Sequence, residues 1–345
     1  MDGLMVNTTQ SVNSLPALEY TLCALCGQDN TRQRLTNQDW LHGGLDQFTL
    51  VECQTCGLVY LNPRPTAANI SRYYPDNYEY APSRHREADA NATSLSQRIR
   101  QGLQTRYYGY PQLSPNSPWL VPVIGLYHRL YRTLALPIMP WRSGGRILDV
   151  GCGTGDYLAG LRQMGWAVQG IEINPHAVQH AREVLHLDVA QSDFLQASLP
   201  ANYFDVVTMW WYLEHVPNPL QVLQEARRVL KPDGVLWLGV PNWAGWEARF
   251  FRAAWYHLDA PRHFYLFTPA TLRAMLERAG WSVQQRLNIS WLNDPAESIE
   301  RWRQMRTGRH WLLPRGLRLL LAPLGWLSAR FGMGSLLVVA ARPNA

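Results

Sequence analysis

A chain of 345 residues, 47% hydrophobic and 17% charged, can bury a large core and hold one main domain with a smaller one beside it. That composition excludes a disordered or low-complexity chain. The net charge is +6 and Lys231 is the only lysine. The positive charge is therefore almost all arginine, a bias that reads as genome composition rather than as a selected surface.

Residues 1–20 are predicted to form a flexible tail. Met1 to Ala17 is polar and lacks the apolar core of a secretory signal, which points to the reducing cytoplasm. Two C-x-x-C knuckles follow, Cys23 with Cys26 and Cys53 with Cys56, each trailed by a glycine. Four thiolates at this spacing suit one tetrahedral zinc ion. Four cysteine ligands leave no open position, so the zinc is expected to be structural. Paired disulfides are the alternative, and a reducing compartment argues against them. Between the knuckles, His42-Gly43-Gly44 marks a hairpin. The zinc-ribbon module is assigned to 21–65, and 66–118 to a linker with helices. Within that linker, Glu87 to Thr105 is polar and reads as a loop or an exposed helix. The main domain is assigned to 119–345. Its opening stretch, Trp119 to Trp141, is apolar but broken by His128, Arg129, Arg132 and prolines. It cannot cross a membrane and is expected to form a helix over the ligand site.

The most telling stretch is Arg146 to Gly155. An apolar run ends in Asp149 and breaks into Gly151, Gly153 and Gly155, and a helical pattern follows to Met164. This is a buried strand, a tight turn and a helix start, the corner where doubly wound proteins bind nucleotides. The glycines are closer together than the G-x-G-x-x-G of a dinucleotide loop. The carboxylate of Asp149 would repel a pyrophosphate and favour an ammonium group. A nucleoside joined to an amino acid suits such a corner. Cys152, inside the loop, reads as a small buried filler.

Strands and helices then alternate as in a parallel sheet covered on both faces. Ala167 to Ile171 is the second strand, ending at Glu172, where an acid can accept both hydroxyls of a ribose. Asn174-Pro175 opens a helix to about His186. A weak third strand near Leu187 to Ala190 leads to Asp193-Phe194; alone, Asp193 reads as a solvated turn residue. The fourth strand, Tyr203 to Met209, runs into Trp210-Trp211-Tyr212-Leu213-Glu214-His215 at the ligand-binding end of the sheet. A helix from Pro219 is ended by Lys231-Pro232-Asp233-Gly234, and Val235 to Val240 is the fifth strand. After a helix from Pro269, Trp281 to Ile289 is the sixth strand and Gly334 to Ala341 the seventh.

Between those last two strands lies an insertion, about 293–332, with Arg301, Arg303, Arg306, Arg309, Arg315 and Arg318 interleaved with Trp and Leu. It suits either a membrane interface or a helical cap over the substrate cleft. Prolines 314 and 323 interrupt the pattern, so the cap is favoured. Such a cap is expected to face an anionic or lipid-bearing substrate.

The glycine corner, with "FDVV", "EHV", "RVLKPDG" and "VPN" downstream, resembles the class I S-adenosylmethionine (SAM)-dependent methyltransferases. Asp233 departs from the family's usual glycine, but Gly234 keeps the turn. The resemblance implies a Rossmann-like α/β fold with a seven-stranded sheet in the order 3-2-1-4-5-7-6, its seventh strand antiparallel. It implies SAM as cofactor, held by Asp149, Gly151, Cys152, Gly153 and Gly155, by Glu172 and Ile173, and by Trp210. Asp193 would contact the adenine amino group, and Phe194 would offer its backbone N–H to the ring. The knuckles, with Leu58 to Pro65 and Tyr73-Tyr74-Pro75, resemble the zinc-binding front end of a bacterial methyltransferase group tied to polysaccharide, lipid-linked sugar or secondary-metabolite synthesis.

Methyl transfer often needs a base, and histidine is the usual one near neutral pH. His215 follows the fourth strand. His263 lies in a "PRH" loop similar to one the family carries over its active site, with Asp259 or His257 placed to orient it. The expected function is methyl transfer to a small molecule, a sugar or a lipid-linked glycan. The expected location is the cytoplasm, with peripheral contact at the inner membrane face left open by the insertion. An RNA methyltransferase gripping RNA with its zinc ribbon is the first alternative. Against it, Arg32, Arg34 and Arg64 are mixed with Asp29, Asp39, Asp46 and Glu52, which is no basic stripe, so nucleic acid is not the expected partner. A non-catalytic adaptor with a degenerate fold is the second, and the intact Asp149, Glu172 and Asp193 argue against it.

Overall fold

The structure, a computed structural model, describes residues 17–40, 46–74, 95–111, 121–131, 136–291 and 293–344. The His42-Gly43-Gly44 hairpin and residues 1–16 lie outside the described residues. The N-terminal part holds β1 (Leu18–Glu19), β2 (Thr31–Gln38), β3 (Gln47–Cys53), β4 (Val59–Leu61) and β5 (Arg64–Pro65). The two knuckles turn alike. Gly27 and Gly57 both take φ +77, a left-handed conformation that glycine adopts without steric cost. Each donates its N–H to the carbonyl of the first cysteine of its knuckle at 2.8 Å.

Two helices follow, α1 (Leu95–Tyr108) and α2 (Val121–Tyr131). Then come β6 (Arg146–Val150), α3 (Asp156–Gln163), β7 (Ala167–Glu172), α4 (Pro175–Glu183), β8 (Val189–Gln191), β9 (Phe204–Trp210), α5 (Pro219–Val229) and β10 (Leu230–Pro241). The chain ends with α6 (Trp246–Phe251), β11 (Tyr265–Leu266), α7 (Pro269–Arg278), β12 (Trp281–Ile289), α8 (Asp294–Thr307), α9 (Arg315–Arg330) and β13 (Leu336–Pro343).

Seven strands form one sheet in the order β12-β13-β10-β9-β6-β7-β8, with β13 antiparallel to both neighbours. Numbered within the domain this is 3-2-1-4-5-7-6, the Rossmann-like methyltransferase order. Local chemistry explains the segments. β9 is buried along its whole length, as a central strand covered on both faces must be. The Asn174 side chain accepts from the Ala177 N–H and Pro175 stands at the first turn of α4. Thr268 and Thr271 cap α7 reciprocally. α5 lays Val222, Leu223, Ala226 and Val229 into the core.

Four expectations are corrected. Leu18 and Glu19 are not tail, because they pair with Pro65 and Arg64. The fifth strand begins at Leu230, opposite Phe204, with an irregularity before Val235; Lys231 there reaches both carboxylate oxygens of Asp205 at 2.9 Å. Of the insertion's two prolines, Pro314 does lie in a break, between α8 and α9, but Pro323 sits inside a continuous helix. Finally, the zinc-ribbon sheet is not confined to 21–65. Its order is β11-β4-β3-β2, so a strand of the main domain completes it. Among the described residues no helix is long and apolar enough to cross a membrane.

Candidate active site and metal centre

The four knuckle cysteines come together. Cys23 and Cys56 bring their sulfurs to 3.4 Å, as do Cys26 and Cys53, and all four lie within 4.8 Å of one another. No disulfide joins them. Four converging sulfurs on two rigid turns fit a tetrahedral zinc ion.

The glycine corner sits between β6 and α3. Gly151 has φ +73, and a Cβ there would stand 2.6 Å from the ring of Tyr212, so only glycine fits. Asp149 is buried beneath the loop, and the Thr208 hydroxyl donates to it at 2.6 Å. Burial pushes its carboxyl up to about 7. Glu172 ties the corner together: it accepts from the N–H groups of Gly153, Ile173 and Asn174 at 2.8–2.9 Å. Ile173 itself is 66% exposed, an apolar face open to a ring at the sheet's ligand-binding edge. Asp193 accepts from the Leu195 N–H at 2.8 Å, and the Phe194 side chain is core. Cys152 is buried, its sulfur packed toward Gly170, and burial pushes its thiol up. Trp210 lies in the core, edge-on to Tyr157. Trp211, at φ +52, is a bulky side chain in the left-handed region, a backbone cost that clusters at functional sites.

The loop after β10 brings the two candidate histidines face to edge, their rings 4.5 Å apart. His263 Nδ1–H donates to the His257 carbonyl at 2.9 Å, so its Nε2 carries the lone pair. The expected orienting role therefore falls to the His257 backbone and not to Asp259. Asp259 is taken by Arg262, at 2.5 and 2.8 Å. His215 Nδ1 pairs with the Tyr74 hydroxyl at 3.0 Å. Burial holds His215 down at about 4, and burial with the neighbouring His215 holds His263 at about 3. Both rings are thus neutral bases near pH 7.

Beside them stands Glu214, directly before His215. It is fully buried, and neither carboxylate oxygen has a hydrogen-bond partner among the described residues. Burial raises its carboxyl to about 8. Glu214, His215 and His263 place their polar atoms within 4.8 Å of one another.

The knuckle module forms one wall of this site. Tyr265 pairs with Tyr60 across the β11–β4 ladder, and the Leu61 N–H donates to the Phe264 carbonyl at 2.8 Å. Arg262 is fully buried. It reaches both carboxylate oxygens of Asp39 at 2.8–2.9 Å and the Tyr73 carbonyl at 2.9 Å. Leucine at 262 would take the guanidinium from two carboxylates, Asp39 and Asp259. Arg262→Leu is expected to destabilise the chain by about 3–5 kcal/mol, measured by urea unfolding; an unchanged midpoint would show that the cluster contributes nothing to stability.

In the insertion Arg301 turns inward, donating to the carbonyls of Trp255, Tyr256 and Leu258 at 3.0–3.2 Å, and Arg318 is half-buried against Glu300 at 2.6 Å. Arg303 and Arg306 are exposed and lie over Trp311 and Trp302.

The sheet order and the glycine corner define a Rossmann-like class I methyltransferase fold. In agreement, residues 125–286 match the methyltransferase domain family. A ubiquinone biosynthesis O-methyltransferase of Actinobacillus pleuropneumoniae is 38% identical over 109 residues, covering 29% of this chain and 47% of that protein. The corresponding protein of Haemophilus ducreyi is 40% identical over 109 residues, covering 29% and 46%. The chain thus spans about half the length of the curated relatives it matches. Among solved structures, the Haloferax volcanii complex between the Trm112 methyltransferase activator and a putative methyltransferase contains a similar chain. The TM-score is 0.46 with 21% identity, over 64% of this chain and 93% of that one. A possible histamine N-methyltransferase from Thermotoga maritima has a TM-score of 0.40 with 20% identity, over 60% and 83%.

Proposed function

We propose that this protein is a SAM-dependent methyltransferase acting on a hydroxyl of a small-molecule, sugar or lipid-linked acceptor, with His263 as the base and a structural zinc in the N-terminal module. The observation that carries the reading is the His263 geometry. Its Nδ1–H is pinned to a carbonyl, its Nε2 carries the lone pair, and it lies in a buried cluster at the end of the sheet where this fold binds ligands. The oxygen acceptor follows the names of the O-methyltransferase relatives.

The corner fits the cofactor. The backbone is bare at Gly151, an acid lies below it, and Ile173 offers an exposed apolar face for a ring. Asp149, the glycine loop, Glu172, Ile173, Asp193 and the Phe194 amide would hold it, and when bound it supplies an electrophilic methyl group. The chain's own residues do the rest. Nε2 of His263 takes the hydroxyl proton as the oxygen attacks. Tyr74 positions His215, and the buried walls exclude water that would compete for the methyl group.

The test is label transfer from methyl-tritiated SAM into host extract separated into RNA, lipid and small-molecule pools, with Asp149→Ala as the blank. Label in the lipid or small-molecule pool is the expected result. Label in RNA would overturn the acceptor class, and none in any pool would overturn the activity.

A further inference from the structure

α9 carries an apolar stripe that none of the described residues covers. Leu317, Leu320, Leu324, Leu327 and Phe331 at its C-cap are 43–74% exposed. Their spacing alternates three and four residues, which places them on one side of the helix. The other side is the packed one: Gly325, Ser328 and Ala329 are buried, and the Ser328 hydroxyl meets Ser290 at 3.0 Å.

The charge around this stripe is mostly positive: Glu300 pairs with Arg318 of α9 at 2.6 Å, and the exposed charges beyond it are arginines. From Arg301 to Ala345 the chain has eight arginines and no aspartate or glutamate. Arg303, Arg306, Arg309, Arg315 and Arg330 are exposed. Arg303 and Arg306 lie 4.3 and 3.9 Å from the centres of the Trp311 and Trp302 rings. Paired aromatic and guanidinium groups of this kind sit well at the boundary between acyl chains and phosphate headgroups.

We propose that the outer face of α9, flanked by these arginines, docks on the anionic surface of a lipid bilayer. The leucines and Phe331 enter the acyl boundary, the arginines meet lipid phosphates, and the helix lies in the plane of the membrane. The charge argues against a second copy of this chain. A symmetric pairing of α9 with α9 would bring the exposed Arg315 and Arg330 of one copy against those of the other, since Glu300 is already engaged by Arg318. The docked face is also tied to the active site, because Arg301, on the inner side of the same insertion, holds the loop that carries His257 and His263. The inference deepens the reading of a lipid-borne acceptor, yet it is tested without substrate.

The experiment is co-sedimentation of the full chain with vesicles of phosphatidylcholine alone, or of phosphatidylcholine with phosphatidylglycerol. Binding to the phosphatidylglycerol vesicles is expected to be at least about tenfold stronger and to fall as salt is raised. Leu320→Glu with Leu327→Glu should weaken it by about tenfold or more without altering the melting temperature or SAM binding by calorimetry. Arg306→Glu with Arg309→Glu should abolish the preference for the anionic lipid. Equal binding by the leucine variants, or none by the parent chain, would overturn the proposal. So would a dimer in sedimentation that the leucine variants split, which would make a second copy the occupant. Vesicle binding without any methyl transfer would instead overturn the proposed activity and leave this face standing.

Discussion

Alanine at 263 is expected to lower kcat by about 10²–10⁴-fold, the range a positioned general base contributes, while the affinity for SAM stays as it was. The separation follows from placement. His263 sits on the loop after β10, whereas the glycine corner between β6 and α3 is built from other segments. The pH profile adds a second readout. A histidine of ordinary pKa would switch activity off near pH 6.5; here burial and the neighbouring His215 hold the ring at about 3. The base form therefore persists through the neutral range, and the acid limb of kcat is expected well below 6.5. Stability follows the same sign. Between pH 6.5 and about 3 the unfolded chain takes up this proton and the folded chain does not. Stability therefore falls as pH drops through that window, and His263→Ala should flatten the slope. Full turnover in the alanine variant would remove His263 from the mechanism.

Loss of the zinc proposed for the knuckles is expected to be the other large effect. Cys53→Ser, or treatment with a strong chelator, should release the zinc and lower the melting temperature by about 10 °C or more. It should also slow methyl transfer by about tenfold or more, although no cysteine of the knuckles touches the histidines. The damage travels through named contacts. Cys53 ends β3, β3 pairs with β4, and β4 pairs with β11 directly after His263. Asp39, on the same module, neutralises Arg262 next to His263. Zinc released in a colorimetric assay, set beside the melting curve and the rate, checks this. A chain stripped of metal that keeps both would show that the module is braced by its hydrogen bonds alone.

Much of this architecture was legible in the sequence. The glycine corner was, because a buried strand that must turn within five residues leaves few choices but glycine. The strand ends were, because Asn174-Pro175, Asn218-Pro219 and Thr268-Pro269 announce helix starts by their own chemistry. Converging cysteines were, because the knuckle spacing allows little else. The contacts that assemble the candidate site were not. Tyr60 and Tyr265, or Asp39 and Arg262, lie some two hundred residues apart, and a short strand carries no mark of a distant partner. Glu214 reads as an ordinary acid at a strand end, and only the fold shows that its oxygens are buried without partners. Pro323 misled in a different way. A proline removes one backbone donor and crowds one carbonyl, yet α9 keeps its remaining hydrogen bonds and continues through it.

The shared β4–β11 ladder bears on how such a chain can change over time. Its front piece looks like an add-on placed ahead of a catalytic unit, the sort of cassette that recombination shuffles. But a chain begun at residue 119 would leave β11 with an open edge, Arg262 without Asp39 and His215 without Tyr74. The two pieces are therefore expected to diverge together, each substitution on one side of the ladder limiting what the other side can accept.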